Sequence, residues 1–148
     1  MHEKKREFKR RHAGRIAGAG LVLLLILASV LRLAGGERNA ADREARLAFI
    51  ASLGWETEPD SETETSVTIP DCSEGAMKDY NELMRKADYD LSPYAGKSVV
   101  RYQYLLTNYP DCTDQVYLTL YVRHGRVIGG DIHTAALDGF MHELRARE

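Results

Sequence analysis

Val116–Arg123 (VYLTLYVR), His124–Gly125 and Arg126–His133 (RVIGGDIH) together decide the fold of this chain. In both flanks β-branched, aromatic and aliphatic side chains recur at a period of two, the pattern of a strand. The two residues between them are the loop length that favours a tight hairpin. Immediately upstream, Val99–Thr107 (VVRYQYLLT) reads as a third strand. It joins the hairpin through Asn108–Gln115 (NYPDCTDQ), a longer turn containing proline. Strands in succession with such short connections pair antiparallel, and helices are expected on one face of the sheet. Gly129–Gly130 inside a strand predicts a bulge or a close backbone approach.

Further upstream the period lengthens. Asn39 is the expected N-cap of a helix running through AADREARLAFIASLGW, with Gly54 placed to end it. Leu47, Ala48, Ile50, Ala51 and Leu53 form its apolar face, while Arg43, Glu44 and Arg46 face water. Trp55 closes the core just beyond. Glu56–Glu64 is an acidic loop, and Thr65–Ile69 is a short strand ending at Pro70. A second helix covers about Ser73–Ala87, with Met77, Tyr80, Leu83, Met84 and Ala87 on one side. Leu91–Gly96 is a single turn, with Ser92 as its cap and Pro93 in first position. The expected class is α+β: an antiparallel sheet packed by two helices.

Ahead of this domain lies Ile16–Ala34 (IAGAGLVLLLILASVLRLA), nineteen residues whose one charge is Arg32. As a helix it would reach roughly 28 Å, close to the ~30 Å hydrocarbon thickness of a bilayer. Seven Lys or Arg residues and two Glu precede it, a net of +5. Positive charge stays inside, which places residues 1–15 in the cytoplasm, 16–34 in the membrane and 37–148 outside. The competing reading is a cleaved signal peptide, with Ala34 and Gly36 at an acceptable spacing. The apolar run exceeds the usual ~7–15 residue signal core, and Arg32 lies just before that site. From residue 33 onward 12 Lys and Arg stand against 20 Asp and Glu, a net of −8. So acidic a domain is a poor partner for nucleic acid or anionic headgroups.

Cys72 and Cys112 both fall on the exported side, each ending the tripeptide Pro-Asp-Cys. An even count there predicts one disulfide, with two free thiols as the alternative. The bridge would close a loop of about 40 residues, worth roughly 4 kcal/mol in chain entropy. The richest cluster of chemistry-bearing residues is Gly129–Leu144 (GGDIHTAALDGFMHEL). Asp131, His133, Asp138 and His142 are the candidate ligands of a zinc or manganese ion there, although no His-Glu-x-x-His spacing is present. The bland alternative makes Asp131 a hydrogen-bonding partner of the bulge and His133 a surface residue. No Gly-x-Ser-x-Gly elbow and no Cys-x-x-Cys pair occurs. Eight tyrosines are dense for this length; Tyr102 and Tyr104 share one strand face, and Tyr117 and Tyr121 another. Cross-strand packing explains them, with an aromatic groove as the sharper reading.

FIASLGW (Phe49–Trp55), VTIP (Val67–Pro70), YDLSPYAGK (Tyr89–Lys97), NYP (Asn108–Pro110), VIGGDI and LDGFMHEL (within Val127–Leu144) resemble an uncharacterised bacterial family. That family is a domain of unknown function carried by Clostridia-type Gram-positive bacteria behind one amino-terminal membrane helix. The resemblance implies a small exported α+β domain and brings no cofactor or catalytic residue. Cys72 and Cys112 depart from its usual pattern. The functional expectation is a membrane-anchored extracytoplasmic domain, a non-catalytic binding or accessory module of the cell envelope with a protein or peptide partner. The alternative is an envelope metal-binding or hydrolytic module using Asp131, His133, Asp138 and His142.

Overall fold

The computed structural model describes residues 38–145 other than residue 137. The basic tail 1–15 and the apolar segment Ile16–Ala34 lie outside the described residues. No helix among those described is long and apolar enough to cross a membrane. In chain order the elements are α1 (Arg43–Ser52), β1 (Thr63–Thr68), α2 (Gly75–Arg85), a 3-10 turn (Ser92–Tyr94), β2 (Ser98–Leu105), β3 (Val116–Arg123), β4 (Arg126–Thr134) and β5 (Met141–Glu143). The five strands make one antiparallel sheet in sequence order. The α+β class is therefore observed, with a fifth strand that the sequence pattern did not announce.

The hairpin forms as read. His124 and Gly125 both have positive φ, 49° and 70°, the geometry whose twist matches that of the flanking strands. The bulge is also present, one position earlier than the glycines. Tyr121 pairs with Gly129 and Val122 with Val127, which leaves Ile128 as the extra residue. The glycines mark close approaches. A Cβ on Gly129 would stand 2.9 Å from Leu91 Cδ2, and one on Gly130 would stand 2.2 Å from the Thr119 carbonyl oxygen.

Strand register assigns the side chains to two faces. Tyr102, Tyr104, Leu118, Leu120 and Ile132 share one; Arg101, Gln103, Tyr117, Thr119, Tyr121, Asp131 and His133 share the other. α1 covers the first face, where Arg46 reaches Tyr104 and lies 3.7 Å over the Tyr102 ring. α2 covers the second, where Tyr80 donates to Asp131. The helices thus lie on opposite faces rather than together. β4 shows why, because it is buried continuously from Val127 to Ile132 instead of alternately. A strand apolar on both sides needs cover on both.

α1 starts three residues later than expected for an Asn39 cap. Asp42 is the cap, its carboxylate accepting from Ala45 N at 2.8 Å. Asn39 instead bridges to Arg126. Arg46, expected in water, is buried with Phe49 and Ile50, whereas Ala48 and Ala51 are exposed. The burial of Arg46 is compensated: it pairs with Glu62 at 2.9 Å and donates to the Tyr104 hydroxyl at 3.0 Å. Tyr104 in turn donates to Glu62. In α2 the expected face is buried or half-buried, with Asn81 as an additional buried member. Its side chain accepts from Leu91 N and donates to Asp90. Leu91, not Ser92, takes the cap position of the following turn, and Asp90 before it accepts from the Ser92 amide at 2.9 Å.

The two cysteines of the expected disulfide do not stand at bonding distance from each other. Cys72 and Cys112 are both free, donating to the Pro70 and Asp114 carbonyls. Cys72 follows Ile69, whose amide bonds Lys97 just before β2 begins. Cys112 lies in the turn after β2 ends. The eight residues of β2 separate them by about 20 Å of strand, far beyond the ~7 Å between Cα atoms that a bridge tolerates.

Candidate functional site: a cationic cleft and an Asp–His chain

The sequence cluster resolves into separate parts. Asp131 and His133, two apart on β4, share the α2 face and are in contact, Nδ1 to Oδ1 at 2.6 Å. Since the carboxylate accepts, His133 Nδ1 carries a proton, and Nε2 accepts from the Gln103 amide at 3.2 Å. Tyr80 donates to the other Asp131 oxygen, with the Tyr121 hydroxyl 3.4 Å from that of Tyr80. Tyr117 stacks on His133 at 5.8 Å. Burial first, and the neighbouring Asp131 charge second, push the Tyr80 hydroxyl far above its ordinary range. Tyr80 therefore remains a donor to Asp131 at any physiological pH.

His142 lies elsewhere. It pairs with Ile132 in the register, which puts it on the α1 face, away from Asp131 and His133. There its Nε2 meets the Tyr109 hydroxyl at 3.0 Å, within a stack of Trp55, Tyr109, Phe140 and His142. Trp55 is buried as expected and donates from Nε1 to the Arg145 carbonyl. Asp138 is exposed in the β4–β5 connection. The four candidate metal ligands are thus not brought together. Among the described residues no group of three or more His, Cys, Asp or Glu side chains converges as metal ligands. The Asp131–His133 pair resembles the orienting half of a hydrolytic triad, but Gln103 holds the place a nucleophilic hydroxyl would need.

A second feature was not singled out from the sequence. At the β3–β4 hairpin end lies a cleft of about 370 Å³, lined by Arg38, Tyr89, Asp90, Tyr94, Arg123, His124, Arg126, Val127 and Ile128. Three separate segments build it. The hairpin supplies Arg123 through Ile128. The turn after α2 supplies Tyr89, Asp90 and Tyr94, entered through Asp88 at a positive φ of 60°. Residues 38–40 run alongside the start of β4: Val127 N donates to the Arg38 carbonyl at 2.9 Å and Ala40 N to that of Gly125 at 2.8 Å. β4 therefore has one edge covered twice, by this segment at its start and by β5 at its end.

The charges in this cleft are uncompensated. Arg38 donates to the Asp88 carbonyl at 3.0 Å and sits 4.4 Å over the Tyr89 ring. Arg123 donates to the Ser98 carbonyl at 2.7 Å. The side chains of Arg126 and His124 make no hydrogen bond or ion pair with any described residue. None of the three arginines has a carboxylate partner among the described residues. The carboxylate in the wall, Asp90, is already engaged by Ser92, Asn81 and Arg85, and the Ser92 and Asn81 hydrogen bonds hold it well below the usual carboxylate range. No signal of periodicity or motif spacing pointed here, because the lining residues lie up to 90 positions apart in the chain.

No family model, curated protein or solved structure matches the chain.

Proposed function

We propose that this chain is a membrane-anchored extracytoplasmic domain of the cell envelope that works by binding rather than by catalysis. The carrying observation is the hairpin-end cleft: concave, bounded by aromatic rings, and lined by three arginines that no carboxylate among the described residues pairs with. Keeping like charges together costs stability, and the Arg126 side chain gains no hydrogen bond or ion pair with any described residue in return. Such an arrangement is suited to a ligand that supplies the missing charge. The address rests on Ile16–Ala34 and the seven cations ahead of it.

The hydrolytic alternative has one observation in its favour, the buried Asp131–His133–Tyr80 chain. Every donor in that chain points toward Asp131, and its outer end closes on Gln103. It is better suited to locking α2 onto β4 than to moving a proton to substrate.

The address is tested with epitopes at both ends of the full chain and proteinase K added to intact protoplasts. The reading expects loss of the C-terminal epitope and survival of the N-terminal one. A protected C-terminal epitope would overturn it. The binding role is tested with a photo-crosslinking residue at position 124. Crosslinked adducts that are absent when the same residue stands at exposed position 82 support it, and identical patterns from both positions count against it.

A further inference from the structure

We infer that the hairpin-end cleft binds a phosphoryl group, carried on a small headgroup or as a free phosphate ester. The inference rests on the binding reading above and names its ligand class. Three observations converge on it.

The first is stoichiometry of charge. Residues 38–145 hold 11 Lys and Arg against 18 Asp and Glu, so cations are the scarcer kind. Three of those 11 line one cleft, and all three lack an acidic partner among the described residues. Of the other eight, Arg43, Arg46, Lys78, Arg85 and Arg145 each sit against a carboxylate, while Lys86, Lys97 and Arg101 stand apart in the sequence and do not line this cleft.

The second is donor geometry. A guanidinium presents a planar fork of N–H donors that matches adjacent oxygens of a phosphoryl group. One carboxylate offers two oxygens and a single charge, enough for one arginine. A phosphate monoester offers three peripheral oxygens and close to two charges, which suits several arginines entering from different segments. Arg38 and Arg123 are each held by a backbone carbonyl, so they are oriented before any ligand arrives. Arg126, at the free end of the hairpin, retains all its donors.

The third is the rest of the wall. Tyr89, Tyr94, Val127 and Ile128 give the cleft an apolar and aromatic side next to its cations. A bare inorganic ion would use none of it, whereas a phosphate ester with a short carbon backbone would use both. A volume of about 370 Å³ is at the small end of ligand sites and admits a glycerophosphate-sized group rather than a nucleotide. Asp90 in the same wall is saturated by neighbouring donors, which limits its repulsion of the ligand. The acidic total charge therefore does not describe this surface, and the expectation that the domain avoids anionic headgroups is revised at this one place.

The test uses the full chain in neutral, zwitterionic detergent micelles, titrated calorimetrically with glycerol 3-phosphate, with inorganic phosphate and with glycerol. Nanodiscs containing phosphatidylglycerol or phosphatidylcholine supply the lipid source of the same chemistry. The comparison variants are Arg126→Glu, which breaks no side-chain hydrogen bond or ion pair with a described residue, and Arg43→Glu on α1 as a charge-matched control. The expected result is saturable glycerol 3-phosphate binding, weakened at least tenfold by R126E and less than twofold by R43E, with thermal midpoints of all forms alike. Preference for phosphatidylglycerol discs, lost in R126E, would identify a lipid headgroup as the source; binding of the free ester alone would identify a soluble one. Absence of saturable binding by every phosphate probe, or equal weakening by both variants, would overturn the inference. Should position 124 still crosslink selectively in that event, the binding reading survives without it; should it not, both fail.

Discussion

The Arg46 guanidinium and the Tyr104 hydroxyl meet at 3.0 Å inside the face of the sheet that α1 covers, and Glu62 closes the triangle. A charge has been placed where the helix periodicity expected solvent. Removing one partner leaves the other buried and alone. We predict that Glu62→Gln destabilises the fold by roughly 2–4 kcal/mol in urea denaturation. Adding Arg46→Met to it should cost less than the sum of the two single changes, because they share one interaction.

The same triangle sets an acid limit. Burial would raise the Glu62 carboxyl, but hydrogen bonds from Arg46 and Tyr104 outweigh it and hold the group below its ordinary 4.5. A carboxyl depressed in the folded state contributes stability above its unfolded value. That contribution disappears as pH falls through the folded value. Thermal midpoints measured from pH 7 downward should hold to about pH 5 and then fall, with a shallower acid limb in Glu62→Gln.

The glycine pair on β4 should respond unequally. A Cβ on Gly129 meets the end of the Leu91 side chain, which can rotate; one on Gly130 meets a backbone carbonyl at 2.2 Å, which cannot. Gly129→Ala should cost about 1–2 kcal/mol, and Gly130→Ala roughly 3 kcal/mol or more, by chemical denaturation. Equal costs would mean that the sheet moves as easily as the side chain.

Two free cysteines are expected to titrate in denaturant without reductant. Cys112→Ser should leave the urea midpoint unchanged, since Cys112 is only partly buried and unbridged. Burial, aided by Asp71, pushes the Cys72 thiol up, so it should react with alkylating reagents more slowly than Cys112 in the folded protein. A protein with no titratable thiol until reductant is added, and two afterwards, would contradict this.

The strands were legible because a half-buried sheet writes its period directly into the chain, and β3 has the bounds that its alternation gave. The two-residue turn was legible for the same reason. Other features were not. Amphipathic periodicity in α1 and α2 says that each has an apolar side, but not which face of the sheet receives it. β5 is three residues, too short to show any period. Arg46 broke the pattern because its partners, Glu62 and Tyr104, lie 16 and 58 positions away. The parity of two cysteines carried no distance information, and β2 separates them. Asp131 and His133 were correctly paired by their i, i+2 spacing, while His142 needed the β4–β5 register to be placed on the opposite face. The cleft was illegible because net charge averages over the surface, and its cations come from residues 38, 123 and 126.

The claim on which the account turns is that the working surface is the hairpin-end cleft and not the Asp131–His133 chain. Amide chemical shifts of isotope-labelled full chain in neutral micelles, followed during titration with glycerol 3-phosphate, test it most directly. Saturable shifts should cluster at Arg38, Tyr89, Arg123, His124, Arg126 and Val127. Shifts centred on Asp131 and His133, or confined to the basic residues 1–15, would contradict it.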